Sequence, residues 1–156
     1  MNDPIMAPAH YTIYPVQPIE ITRYLGFCMG NVTKYVLRAP YKGGVADCLK
    51  ALRYLEFEKE LPQPLLGVAI YKLCAHSIKT LLNFFYDSHG DALWEDIAIH
   101  SAGYLENLRL YLVAWSELGF TNMRASIYEL KRVLTLRDTT AQIYEGMSGI
   151  PIKFIN

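Results

Sequence analysis

Between Glu20 and Leu55, six cationic side chains (Arg23, Lys34, Arg38, Lys42, Lys50 and Arg53) meet only two acids, Glu20 and Asp47. Over all 156 residues, 15 Lys and Arg balance 15 Asp and Glu. The excess is therefore local. A concentrated basic patch on a neutral protein suits a small anion. A duplex nucleic acid or other long polyanion is not expected as a partner, because phosphate backbones select an overall basic surface.

The spacing narrows the chemistry. A helix over residues 21–39 places Phe27, Asn31, Lys34 and Arg38 on one face, at intervals of four, three and four residues. On that helix Tyr35 and Val36 turn to the other side, where they can pack. Arginine offers a planar fork that matches phosphate oxygens, and lysine a mobile point charge. Asn31, one turn earlier, has the groups to hydrogen-bond a base or a sugar hydroxyl. If the helix breaks at Gly30 instead, Asn31 becomes an N-cap beside orphan amides that bind anions in their own right.

Tyr41-Lys42-Gly43-Gly44 reads as a turn that carries a cation and two residues free to adopt positive φ. The following helix sets Asp47, Lys50 and Tyr54 on one stripe. Asp47 is the candidate ligand for a magnesium ion or its waters, Lys50 for a phosphate, and Tyr54 for ring stacking. Plainer roles fit the same residues: a solvated helix face, an i,i+3 ion pair between Asp47 and Lys50, a helix–helix turn. Spacing alone leaves both sets open.

Other chemistries find less support. There is no G-x-x-x-x-G-K-[ST] loop and no glycine-rich dinucleotide fingerprint after a strand. Glu56, Glu58 and Glu60 spread around their helix and do not form the acidic cluster of an all-α nucleotide pyrophosphatase. Asp96 and His100, four apart, make an ordinary helix pair before they make a metal site. Cys28, Cys48 and Cys74 form no CxxC motif and read as reduced core residues of a cytosolic protein.

The elements that must position these groups are helical. Apolar residues make up 52% of the chain and charged ones 19%, which excludes a disordered polymer. Pro4, Pro8, Pro15 and Pro18 mark an irregular N-terminal arm. After the helix at 21–39, a second runs over about 45–60 with Cys48, Leu49, Leu52 and Leu55 on its buried face. Pro62 and Pro64 break the chain and divide a segment 1–61 from a segment 62–156. Three helices follow at about 65–87, 91–118 and 122–145, with Asp91 and Thr121 as N-caps and Leu105, Leu108, Leu112 and Trp115 on a bundle face. Residues 150–154 form a short extended tail. The expected fold is all-α: a bundle of about five helices behind a proline-rich arm, packed as one compact unit. No run is apolar for long enough to span a membrane. Twelve tyrosines on a near-neutral helical protein suit self-association into a homo-oligomer.

The combined pattern of His10-Tyr11, Pro18-Ile19-Glu20, Phe27, Gly30-Asn31, Lys34-Tyr35, Arg38, Lys42-Gly43, Asp47, Leu49-Lys50-Ala51 and Tyr54-Leu55 resembles a small domain widespread in phage and prophage genomes. Its best-known members are deoxynucleoside monophosphate kinases of short-tailed coliphages, which lack the usual phosphate-binding loop. The resemblance covers about residues 10–57. It implies a nucleotide site carried by His10, Tyr11, Glu20, Asn31, Lys34, Arg38, Lys42, Asp47 and Lys50, with Gly43 and Tyr54 beside them. For a kinase, Lys34, Arg38 and Lys42 would neutralise the transferring phosphate and Asp47 would anchor Mg2+. His10 or Tyr11 would contact the base or close the site. The alternative is a non-catalytic module, nucleotide-binding or protein-binding, whose C-terminal helices engage a host or phage protein. Either places the protein in the cytoplasm of a bacterial host.

Overall fold

A computed structural model describes residues 13–62, 66–114 and 117–148. His10, Tyr11, Trp115 and the tail at 150–154 lie outside them. The described residues form six helices and no strand: α1 (Ile19–Thr22), α2 (Phe27–Arg38), α3 (Gly44–Lys59), α4 (Gly67–Tyr86), α5 (Ala92–Ala114) and α6 (Glu117–Ser148). The all-α bundle is as expected. None of these helices is long and apolar enough to cross a membrane.

The sequence expectation of one helix over 21–39 is corrected. The chain leaves α1 through tight turns, Tyr24 N–H to Ile21 O (3.1 Å) and Leu25 N–H to Thr22 O (3.1 Å), and re-enters helix at Gly26, whose ψ of 169° is extended. The break therefore falls at Gly26 and not at Gly30. Asn31 sits inside α2, with its side-chain amide donating to Phe27 O (2.8 Å), so it is no N-cap.

Gly26 offers no side-chain cap, and the first turn of α2 is served from elsewhere. Glu58 of α3 is buried, and its carboxylate accepts from the Met29 amide and from Tyr111 Oη of α5 (2.7 Å). A second buried link joins Thr33 of α2 to Tyr104 of α5 (Oγ1 to Oη, 2.7 Å). These bonds fasten the α2–α3 pair to α5. Tyr104→Phe should cost about 1–3 kcal/mol by stranding the Thr33 hydroxyl in a fully buried place, as read from urea denaturation.

Burial dominates Glu58 and raises its pKa above the ordinary 4.5, although both hydrogen bonds act the other way. Its stabilising contribution is then complete below about 4.5 and is lost as pH rises through the raised value. Gln keeps the shape and an acceptor. The stability difference between wild type and Glu58→Gln should therefore move in favour of Gln as pH climbs from 4.5 toward neutrality. Melting temperatures of both proteins across that range test it, and a constant difference would contradict it.

In the second half, α5 packs against both α4 and α6, and α6 also covers α3. Ile78, Leu81 and Phe85 of α4, Leu105 and Leu108 of α5, and Ile127, Leu130 and Leu134 of α6 are all buried. Asp91 caps α5 as expected, accepting from the Trp94 amide (2.8 Å).

Thr121 does not cap α6, which begins at Glu117 and runs straight through Gly119-Phe120-Thr121. A Cβ at Gly119 would meet the Tyr111 backbone nitrogen at 3.3 Å. The glycine there admits the neighbouring helix and does not break its own. On α3, Cys48, Ala51 and Leu55 are buried, whereas Leu49, expected inside, is 52% exposed.

Candidate functional site

The turn from α2 to α3 is built by its own backbone. Arg38 O accepts from the Tyr41 and Lys42 amides (3.1 and 3.0 Å), and Ala39 O accepts from the Gly44 amide (2.8 Å). Closing the turn this way requires φ +54° at Gly44, where an L side chain is strained. From α6, Arg137 Nη1 donates to Pro40 O (2.9 Å) and pins the turn to the bundle.

The reversal brings Arg38, at the end of α2, against Asp47, in the first turns of α3. Arg38 Nε donates to Asp47 Oδ2 (2.9 Å) and Nη2 to Oδ1 (2.8 Å), a two-point fork. Asp47 is almost completely enclosed, with 1% of its side chain exposed, and Arg38 retains 17%. Gly43 leaves the space this carboxylate fills: a Cβ there would fall 1.9 Å from Asp47 Cγ.

Above this pair lies an aromatic layer. Tyr35 and Tyr54 stack across the two helices (centroids 6.0 Å, planes 17° apart), and Phe27 and Phe57 meet Tyr54 edge-on at 5.8 and 6.2 Å. Lys34 Nζ stands 4.4 Å from the Tyr35 ring centroid, Arg38 Cζ 4.9 Å and Lys50 Nζ 5.5 Å. Each is within reach of the ring's electron-rich face. Tyr35 thus does not turn away from the basic residues, as helical spacing implied. It is the platform they share.

The structure thereby joins Lys34, Arg38, Lys50 and Tyr54, with Phe27 and Asn31 along the same helix face. Gly43 and Asp47 lie beneath them as parts of the turn and the ion pair. Lys42 is exposed on the turn. Glu20 bends back to accept from the Gln17 amide (2.6 Å) at the start of α1. Residue types and spacing gave no sign of the role of Tyr35. Its signal would have been that Lys34 and Arg38 flank it along the helix while Lys50 and Tyr54 share the opposing stripe.

Asp47 does not fit the part of a magnesium ligand as its side chain stands, since both oxygens accept from Arg38. Among the described residues no group of three or more His, Cys, Asp and Glu side chains is placed to hold a metal ion. His100 approaches Glu129 of α6 (3.9 Å). Glu56 pairs with Arg124. A cavity of about 700 Å³ beside the turn is lined by Tyr41, Asp91, Trp94 and Arg137, and none of Lys34, Arg38, Lys42, Asp47 and Lys50 lines it.

Residues 5–56 match the model of a family described as a protein of unknown function, DUF3310. The match spans α1, α2 and most of α3, and every candidate site residue falls inside it. No curated protein and no solved structure matches the chain.

Proposed function

We propose that the α2–α3 face binds the phosphate of a mononucleotide. The observation that carries this reading is the gathering of Lys34, Arg38 and Lys50 around the one ring of Tyr35. Distances of 4.4–5.5 Å from a common centroid keep any two of these groups within about 10 Å of each other, comparable to the screening length at physiological salt. They therefore repel one another, and Asp47 offsets only one of the three. Two positive charges remain, and a phosphate monoester or a diphosphate supplies the balance. Lysine suits this task as a mobile donor, while Arg38 is held in place by its fork to Asp47.

Phosphoryl transfer to a deoxynucleoside monophosphate, in a phage or prophage setting, is the finer reading, and it rests on the resemblance to the coliphage kinases. Lys34, Arg38 and Lys50 would hold and neutralise the transferring group, a mainly electrostatic and positional form of catalysis. The commitment of both Asp47 oxygens to Arg38 favours the other member of the pair, nucleotide binding without turnover.

A thermal-shift panel of deoxynucleoside mono- and triphosphates, paired with an assay of phosphate transfer between them, separates the cases. A raised melting temperature with transfer supports the kinase, and a raised melting temperature alone supports the binding module. No shift with any phosphate would contradict both.

A further inference from the structure

Phe27 is the most exposed large apolar side chain among the described residues, at 76%. It opens α2 with one edge against Tyr54 and borders a groove of about 220 Å³ between the end of α1 and the outer face of α2. Thr22 and Leu25 form one wall of the groove, and Phe27, Asn31 and Lys34 form the other. Its lining between them is backbone at Gly26 and Gly30. A Cβ at Gly30 would stand in ordinary contact with Thr22 O (3.4 Å) and one at Gly26 would meet nothing within 4 Å, so neither glycine adds a side chain to the lining.

Two features tie the groove to a particular chemistry. Asn31 spends its side-chain N–H on Phe27 O, which fixes the amide and leaves Oδ1 as an acceptor. Lys34 lines the groove and also stands 4.4 Å over Tyr35, so this one side chain joins the groove to the cationic platform. A planar group in the groove would therefore carry an attached anion directly to Lys34.

We propose that this groove is the base subsite of the mononucleotide site. The base lies against the exposed ring of Phe27 and presents an N–H donor, an exocyclic amine or a ring amide N–H, to Asn31 Oδ1. The inference rests on the phosphate-binding reading above and adds what the platform lacks, a way to tell a nucleotide from a bare phosphate. Rings on a protein surface commonly hold bases by stacking.

The test is calorimetry on the full chain with two probes, pyrophosphate and a set of deoxynucleoside monophosphates. Wild type, Phe27→Ala and Asn31→Ala are compared, with melting temperatures to confirm that each variant is folded. The expected result is that both variants lose about tenfold or more in nucleotide affinity while pyrophosphate affinity is unchanged. If pyrophosphate binds but the variants leave nucleotide affinity intact, or weaken both probes equally, the base subsite is overturned and the phosphate reading stands. If wild type binds neither probe, the phosphate reading itself fails.

Discussion

Arg38→Ala is expected to destabilise the fold by about 3–5 kcal/mol, the cost of leaving a buried charge without its partner. Asp47 is 1% exposed, and the fork from Arg38 neutralises it. Hydration of Asp47 in the variant would have to come through the space the guanidinium leaves beside the α2–α3 turn. That turn is further bound by the Gly44 amide and by Arg137 from α6, so it has little freedom to open. Removing the carboxylate instead should cost less, because Arg38 retains 17% exposure and can rehydrate. Adding Asp47→Asn to Arg38→Ala should accordingly restore part of the lost stability. Urea denaturation of the two single variants and the double variant checks this. Strictly additive losses would show that the two side chains act independently.

The second large effect concerns binding. Lys34→Ala combined with Lys50→Ala should weaken mononucleotide affinity by about 2–4 kcal/mol, each charge-assisted contact contributing about 1.5–3 kcal/mol before screening by solvent. The fold should be nearly unaffected, since Lys50 is exposed and Lys34 lies along the surface of α2. This separates the lysines from Arg38, whose loss would reduce binding and stability together. Replacing both lysines by arginine should retain most of the affinity for phosphate, and titration calorimetry at two salt concentrations reads both outcomes. Unchanged affinity in the double alanine variant would remove the α2–α3 face from the site.

Much of this arrangement was legible in residue spacing. Helical periodicity located the long elements, and the four-three-four intervals placed Phe27, Asn31, Lys34 and Arg38 on one face. What spacing could not reveal were contacts between different helices. Rules of three and four residues offer Asp47 only Lys50 as an ion-pair partner, because they see only neighbours on one helix. Its actual partner, Arg38, lies nine residues away across a turn. Helical spacing puts Tyr35 on the packing side for a related reason. Its ring extends toward Tyr54, and the long cationic side chains fold back over it.

Glycines misled in both directions. Gly26 lies inside the helix expected over 21–39 and yet marks the break between α1 and α2. Gly119 beside Thr121 reads as a helix boundary and yet lies inside α6, where its missing side chain admits Tyr111. In each case the deciding factor was the neighbouring backbone, which a linear pattern does not contain. The groove beside Phe27 arises in the same way, from a bend that the helical pattern concealed.

The most direct measurement is a backbone-amide NMR titration of the full chain with a deoxynucleoside monophosphate, run beside the same nucleoside without its phosphate. The account predicts saturable shifts confined to the outer face of α2 and the facing turns of α3, centred on Lys34, Tyr35, Lys50 and Tyr54, and much weaker effects from the nucleoside. Shifts concentrated elsewhere, or none at saturating nucleotide, would contradict it.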